Sequence, residues 1–126
     1  MKKNNKGYTL IELIAAIMLL GIILTIATTA VVTQLNKNRK KTVLTSARSY
    51  VTAINDNNYI NDADKIITSG TVAQINPKVK KSISGQMPDR GNVTVNTTTK
   101  EVSSATLYID KYVITYNGTK YTITSQ

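Results

Sequence analysis

Cysteine and histidine are both missing from this chain of 126 residues, and each absence closes off chemistry. Without cysteine no disulfide can staple a small domain, and the chain carries no redox signal about its compartment. The commonest bases, nucleophiles and metal ligands are gone as well, no phosphate-cradling glycine loop occurs, and Asp56, Asp62, Asp64, Asp89, Glu101 and Asp110 form no motif with a nucleophile or base. The expectation is a protein that is not an enzyme and holds no cofactor. Proline is confined to Pro77 and Pro88, and neither proline nor glycine occurs between Gly21 and the polar segment Asn55-Asp56-Asn57-Asn58. Charge is missing over the 24 residues from Leu13 to Asn36. At 1.5 Å of helix rise each they cover roughly 36 Å, enough for a hydrocarbon core of about 30 Å.

What is present organises itself around that run. The stretch from Lys6 to Asn36 holds one acid, Glu12, at the mouth of the apolar segment, and three readings compete for it. A secretory signal would use Lys2, Lys3 and Lys6 as its basic start and Thr28-Thr29-Ala30 as its cleavage site, but the apolar part is too long and a carboxylate at its mouth hinders such a signal. A plain single-pass anchor would treat Glu12 as an interfacial residue tolerated by the helix dipole.

The third reading is a resemblance. Gly7-Tyr8-Thr9-Leu10-Ile11-Glu12 resembles the class III signal of type IV prepilins and pseudopilins: a short basic leader ending in glycine, an aromatic residue, then T-L-I-E leading into an apolar helix. The likeness covers about residues 1 to 36, and leader, glycine, glutamate spacing and uncharged run together make it specific. It implies cleavage after Gly7 by a membrane-embedded prepilin peptidase, with Tyr8 as the new N-terminus, its amine methylated. It also implies that Glu12 pairs with the amine of a neighbouring subunit during assembly. Physics supports such a role, because a carboxylate and an amine left unpaired in an apolar bundle are each costly, and pairing them fixes the axial register. This chain departs from the common pattern in two ways: Tyr8 stands where phenylalanine or methionine is usual, and no proline breaks the helix midway. Gly21 and the cluster Thr25, Thr28, Thr29 are its only soft spots. The missing C-terminal disulfide of many Gram-negative members, with the heavy use of Asn, Lys and Ile, fits a Gram-positive source.

The precursor carries a net charge of +9. Loss of Lys2, Lys3 and Lys6 with the leader leaves 9 − 3 = +6 on the mature side chains. Such a surface favours anionic partners through salt-sensitive attraction, or simply keeps the protein soluble. Lys37, Arg39, Lys40 and Lys41 follow the apolar run, so basic residues flank both ends and barely choose an orientation. The resemblance does: the leader stays cytoplasmic and the C-terminal part is exported. The cluster at 37–41 reads as a solvated or headgroup-contacting collar.

Beyond the collar Leu44, Ala47, Val51 and Ile54 form a stripe at helical spacing, so one continuous helix is expected from about Thr9 to about Asn55. Residues 57–92 gather Asn, Asp, Gly and Pro and read as a loop with at most short helical turns near 62–67 or 72–75. Asn61, Asp62 and Asp64 lack the glycine and glutamate of a calcium loop and read as solvated or capping residues. Four β-rich pieces follow, at 93–97, 105–109, 112–116 and 120–124, the last two joined by a two-residue Asn117-Gly118 turn. Tyr112, Ile114 and Tyr116 share one face, as do Tyr121 and Ile123, and one such face should pack on the helical stripe. Asn92, Asn96 and Asn117 stand in glycosylation-like triplets, which are common by chance in a Thr-rich chain.

The expected fold is therefore α+β, a long N-terminal helix whose second half packs on a small C-terminal antiparallel sheet. The expected divisions are a cleaved leader at 1–7, a long helix at 8–56 with an assembly half at 8–36, and a head at 57–126 with its sheet at 93–126. The resemblance implies a filament subunit, or a pseudopilin of a secretion or DNA-uptake machine. Its partners would be further copies of the chain, the prepilin peptidase, an assembly platform with its ATPase, and the membrane before assembly. A membrane-anchored binding module that never polymerises is the alternative of another class. Nucleic-acid binding by the basic head would depend on Lys78, Lys80 and Lys81 and weaken with salt.

Overall fold

A computed structural model describes Gly7 and residues 9–126. Two compact units divide the chain, the first ending at Lys37 and the second spanning Asn38–Gln126. Helix α1, Leu10–Ile60, contributes to both. The second unit adds β1 (Gly70–Thr71), α2 (Val72–Val79), β2 (Arg90–Val95), β3 (Val102–Ile109), β4 (Tyr112–Tyr116) and β5 (Tyr121–Ser125). Short 3-10 turns occupy Ala63–Lys65 and Lys80–Ser82. The expected α+β architecture holds: the C-terminal half of α1 packs on an antiparallel sheet whose strands lie in chain order.

In the first unit the helix is continuous through the expected soft spots. The threonine hydroxyls bond back to carbonyls of their own helix, Thr25 to Gly21 at 2.8 Å and Thr28 to Leu24 at 2.6 Å. Thr29 and Thr33 do the same to Ile26 and Thr29. Such bonds leave the backbone helical while giving four exposed hydroxyl donors a partner within the helix.

In the second unit α1 runs to Ile60, past the expected end near Asn55. Asparagine side chains break helices when they compete for their own backbone. Here they are engaged elsewhere. Asn57 Nδ2 donates to the Lys65 carbonyl at 3.1 Å. Asn58, only 5% exposed, donates to the carbonyls of Ile67 at 2.9 Å and Lys100 at 2.8 Å, and accepts from the Ile67 amide at 2.7 Å. The helix end is thereby tied to two separate loops.

The helical stripe is broader than the spacing suggests. Ala47, Val51 and Ile54 are buried as expected, joined by Val43, Ser46, Tyr50 and Ala53, while Leu44 is half-buried at the margin. The reason is a second cover. α2 and the segment after it reach the helix beside the sheet, with Tyr50 donating to Asn76 Oδ1 at 2.8 Å and Asn76 donating to the Pro88 carbonyl at 3.2 Å. From the sheet, Val93, Val95, Val102, Leu107, Ile109, Tyr112 and Ile114 complete the core. Burying one such aliphatic or aromatic side chain stabilises by about 1.5–3 kcal/mol.

Three details of the sheet differ from the sequence expectation. The segment read as loop supplies an edge strand, β1, paired with Asn92 and Val93 of β2. β3 starts at Val102 because of a bulge: Val95 pairs with Val102 and Thr94 with Ser104, so Val102 and Ala105 both face the core despite their odd spacing. The expected two-residue turn at Asn117-Gly118 is a four-residue connection, since the last pair is Tyr116 with Tyr121. Asn117 Oδ1 accepts from the amides of Thr119 at 3.1 Å and Lys120 at 2.8 Å, and Gly118 takes φ +90°. The side chain thus supplies what a second left-handed residue would have supplied. The tight two-residue turn lies instead between β3 and β4, where Asp110 takes φ +54° and Ile109 pairs with Tyr112.

Candidate functional site

The sequence singled out the start of α1, and there the structure places a reciprocal pair. Thr9 precedes the first helical residue, and Glu12 is the third residue of the helix. The Glu12 amide donates to Thr9 Oγ1 at 3.3 Å, and the Thr9 amide donates to Glu12 Oε2 at 3.4 Å. This is a capping box, satisfying two amides that a helix start leaves orphaned. The spacing Thr-x-x-Glu was its visible signal, a role for Glu12 that sequence reasoning passed over. Both bonds are long, and a carboxylate accepts more strongly from a cationic donor. Glu12 is therefore free to exchange a weak partner for a stronger one. Gly7 is exposed, and nothing lies within 4 Å of where a Cβ would be. Tyr8, Lys2, Lys3 and Lys6 lie outside the described residues.

Behind Glu12 the helix carries large apolar side chains on every side, and from Leu10 to Leu35 all of them are exposed. None of its most apolar 18-residue stretch is buried among the described residues. With its threonine hydroxyls bonded internally, this segment presents almost no unsatisfied polar group to its surroundings. That is the condition a bilayer imposes on a spanning segment. The same surface, apolar all round, suits burial among other helices.

The basic collar divides between the units: Lys37 closes the first, while Arg39, Lys40 and Lys41 stand exposed at the start of the second. Lys78 lies exposed in the last turn of α2, and Lys80 and Lys81 in the 3-10 turn beyond it. Past that turn the chain crosses α1, where the Ser84 amide donates to Ser49 Oγ at 2.9 Å and the Gln86 amide to Ser46 Oγ at 3.1 Å. Asp62 occupies the N-cap position of the turn Ala63–Lys65 without a side-chain cap bond, so it reads as a solvated acid. No group of three or more acids is close enough to hold a metal ion among the described residues.

The sheet tyrosines Tyr112, Tyr116 and Tyr121 belong to the packing. Tyr112 is buried, and Tyr116 and Tyr121 stack with centroids 4.4 Å apart. Arg48 of α1 lies 5.4 Å from the Tyr121 ring centroid. Burial, with a smaller contribution from Tyr116, pushes the Tyr121 hydroxyl up to about 12 against the opposing pull of Arg48.

Residues 2–28 match the family described as the prokaryotic N-terminal methylation motif, the class III signal of type IV pilins and pseudopilins. Comparison with curated proteins and with solved structures finds no match to this chain.

Proposed function

From a chain that opens with a class III prepilin signal, we propose a type IV pilus subunit: inserted in the membrane, cut after Gly7, and polymerised through α1. The observation that carries this reading is the apolar surface from Leu10 to Leu35, whose large side chains are all exposed among the described residues. A bilayer covers it in the precursor, and the same helix of neighbouring copies covers it in a filament. Tyr8 then supplies a methylated amine. Glu12 leaves its long capping bonds to pair with that amine on a neighbour, which removes two unpaired charges from an apolar bundle and pins the register. The head, Asn38–Gln126, faces outward, with Arg39, Lys40 and Lys41 as a collar beside the packed helices. Extraction from the membrane draws on a separate assembly platform and ATPase.

Mass spectrometry of the mature N-terminus, on sheared material and on the membrane fraction, tests this. A chain starting at methylated Tyr8 in abundant sheared filaments is the expected result. The same N-terminus in a scarce, envelope-confined species would make the protein a pseudopilin. A chain still carrying residues 1–7 would mean a plain anchor, and the role given to Glu12 would fall.

A further inference from the structure

Within the second unit α1 keeps one face bare. Lys41, Thr45, Arg48, Thr52, Asp56 and Tyr59 follow one another at spacings of three and four, and each is exposed. Charge changes sign along this ridge. It begins with Lys41 and Arg48, and ends with Asp56 and, on the next turn of chain, Asp62 and Asp64 beside Lys65. The bonds of Asn57 to Lys65 and of Asn58 to Ile67 hold that acidic segment at the helix end.

The acidic end also carries the unit's apolar knob. Tyr59 is 92% exposed and Ile60 78%, and among the described residues of this unit they are the only large hydrophobics so exposed. The basic end carries a groove of about 350 Å³ lined by Lys41, Thr42, Thr45, Ser46, Ser84 and Gly85. Threonine methyls, the lysine stem and glycine backbone make its surface largely apolar. The groove is built in. Its outer wall is pinned by the Ser84 and Gln86 amides on Ser49 and Ser46, and Gly85, at φ +106°, lies so close that a Cβ there would meet Ser46 Oγ.

Resting on the filament reading, we infer that this ridge joins the heads of two copies. Tyr59 and Ile60 of one copy occupy the Lys41–Gly85 groove of a second, and Asp56, Asp62 and Asp64 of the first face Lys41 of the second. Knob and groove lie 14 residues apart on one helix, Thr45 to Tyr59, so the two copies are displaced by roughly 21 Å along it. Unshifted copies would set Lys41 against Lys41 and Asp56 against Asp56, which repel; the shift removes both clashes and brings Asp56 of the first copy beside Lys41 of the second. Knob and groove are different surfaces of the same chain, so the contact is heterologous and repeats without closing. The charges orient the contact, and burial of Tyr59 and Ile60 holds it.

The natural absence of cysteine makes the test clean. A full-length Tyr59→Cys/Thr45→Cys chain, assembled by cells that carry the machinery, is treated with a short bis-maleimide in sheared filaments. A ladder of dimers, trimers and higher species is expected, whereas Tyr59→Cys/Thr119→Cys should give none. If sheared filaments form and the 59/45 chain stays monomeric, the docking is wrong while the filament reading stands. If the unaltered chain yields no sheared filaments, both fall. Should the double-cysteine chain alone fail to assemble, Lys41→Glu decides: it should lower sheared filament yield roughly tenfold, as expected of a like-charge contact at an interface rim. Adding Asp62→Lys should restore most of that yield, and no restoration overturns the proposal.

Discussion

Replacing Asn58 by alanine should be the most damaging polar substitution in the head. Its amide serves three backbone groups: the Ile67 amide, the Ile67 carbonyl and the Lys100 carbonyl, all between 2.7 and 2.9 Å. Ile67 is 0% exposed, so water cannot readily replace what is lost there. At about 1 kcal/mol net for each bond, and more where a buried group is left unsatisfied, the loss is about 3 kcal/mol or larger. A domain of this size has roughly 5–12 kcal/mol in hand. At about 4–8 °C for each kcal/mol, the melting temperature should fall by roughly 12–24 °C. Asn55→Ala is the internal reference, since Asn55 Oδ1 accepts one bond, from the Val102 amide at 2.8 Å, on a half-buried residue. It should cost about 1 kcal/mol. Asn58→Asp keeps the acceptor but turns an oxygen toward two carbonyls, and should be no better than alanine. The assay is thermal unfolding of the full chain in detergent, followed by near-ultraviolet circular dichroism of the tyrosines. An Asn58→Ala chain that melts no lower than Asn55→Ala would refute the reasoning, because the three bonds would then be worth no more than one.

Glu12→Gln keeps an acceptor for the Thr9 amide but removes the charge, so it should be cut normally after Gly7 yet be depleted from sheared filaments; Glu12→Ala should lose the cap as well, at about 1 kcal/mol of local helix stability. Equal filament yield from Glu12→Gln and the unaltered chain would remove charge pairing from the mechanism. Ile54→Ala opens a cavity beneath the sheet and should cost about 2–5 kcal/mol, read by the same melting assay. For pH, the Tyr121 hydroxyl is raised to about 12 from its ordinary 10.0, so its contribution to stability is fully present below about 10 and is lost as pH rises through 12. Absorbance at the tyrosinate band should therefore rise late in an alkaline titration, and Tyr121→Phe should remove the earlier of two late steps, leaving that of Tyr50, which burial raises further.

Much of the chain was legible in one dimension because its signals are local. The prepilin-type signal needed only the contiguous residues Gly7 to Glu12, and the apolar segment needed only uninterrupted apolar residues, whose effect does not depend on distant partners; the capping pair Thr9 and Glu12 was equally local but was passed over. The α+β fold and the face of Tyr112 and Ile114 followed from periodicities of 3.6 and 2. The losses came where a side chain's partner is far along the chain. Asn57 and Asn58 read as a helix stop, since nothing nearby says that Lys65, Ile67 and Lys100 will engage them. Gly70 and Thr71 read as loop because a two-residue edge strand has no period. The Ser103 bulge altered which residues of β3 face inward, and the turn at Asp110 carried no glycine to announce it.

The sequence by itself determined the prepilin-type signal and the apolar helix behind it, because signal motif and hydropathy are written in contiguous residues. Only the tertiary structure decided how the head closes: which asparagines lock the helix end, where the segment at 83–86 crosses α1, and that a basic groove and an acidic, apolar knob lie on one exposed ridge. Those features depend on hydrogen bonds between residues up to 47 apart, as between Asn55 and Val102. No local pattern encodes such pairings, since they exist only once the core has brought the two ends together.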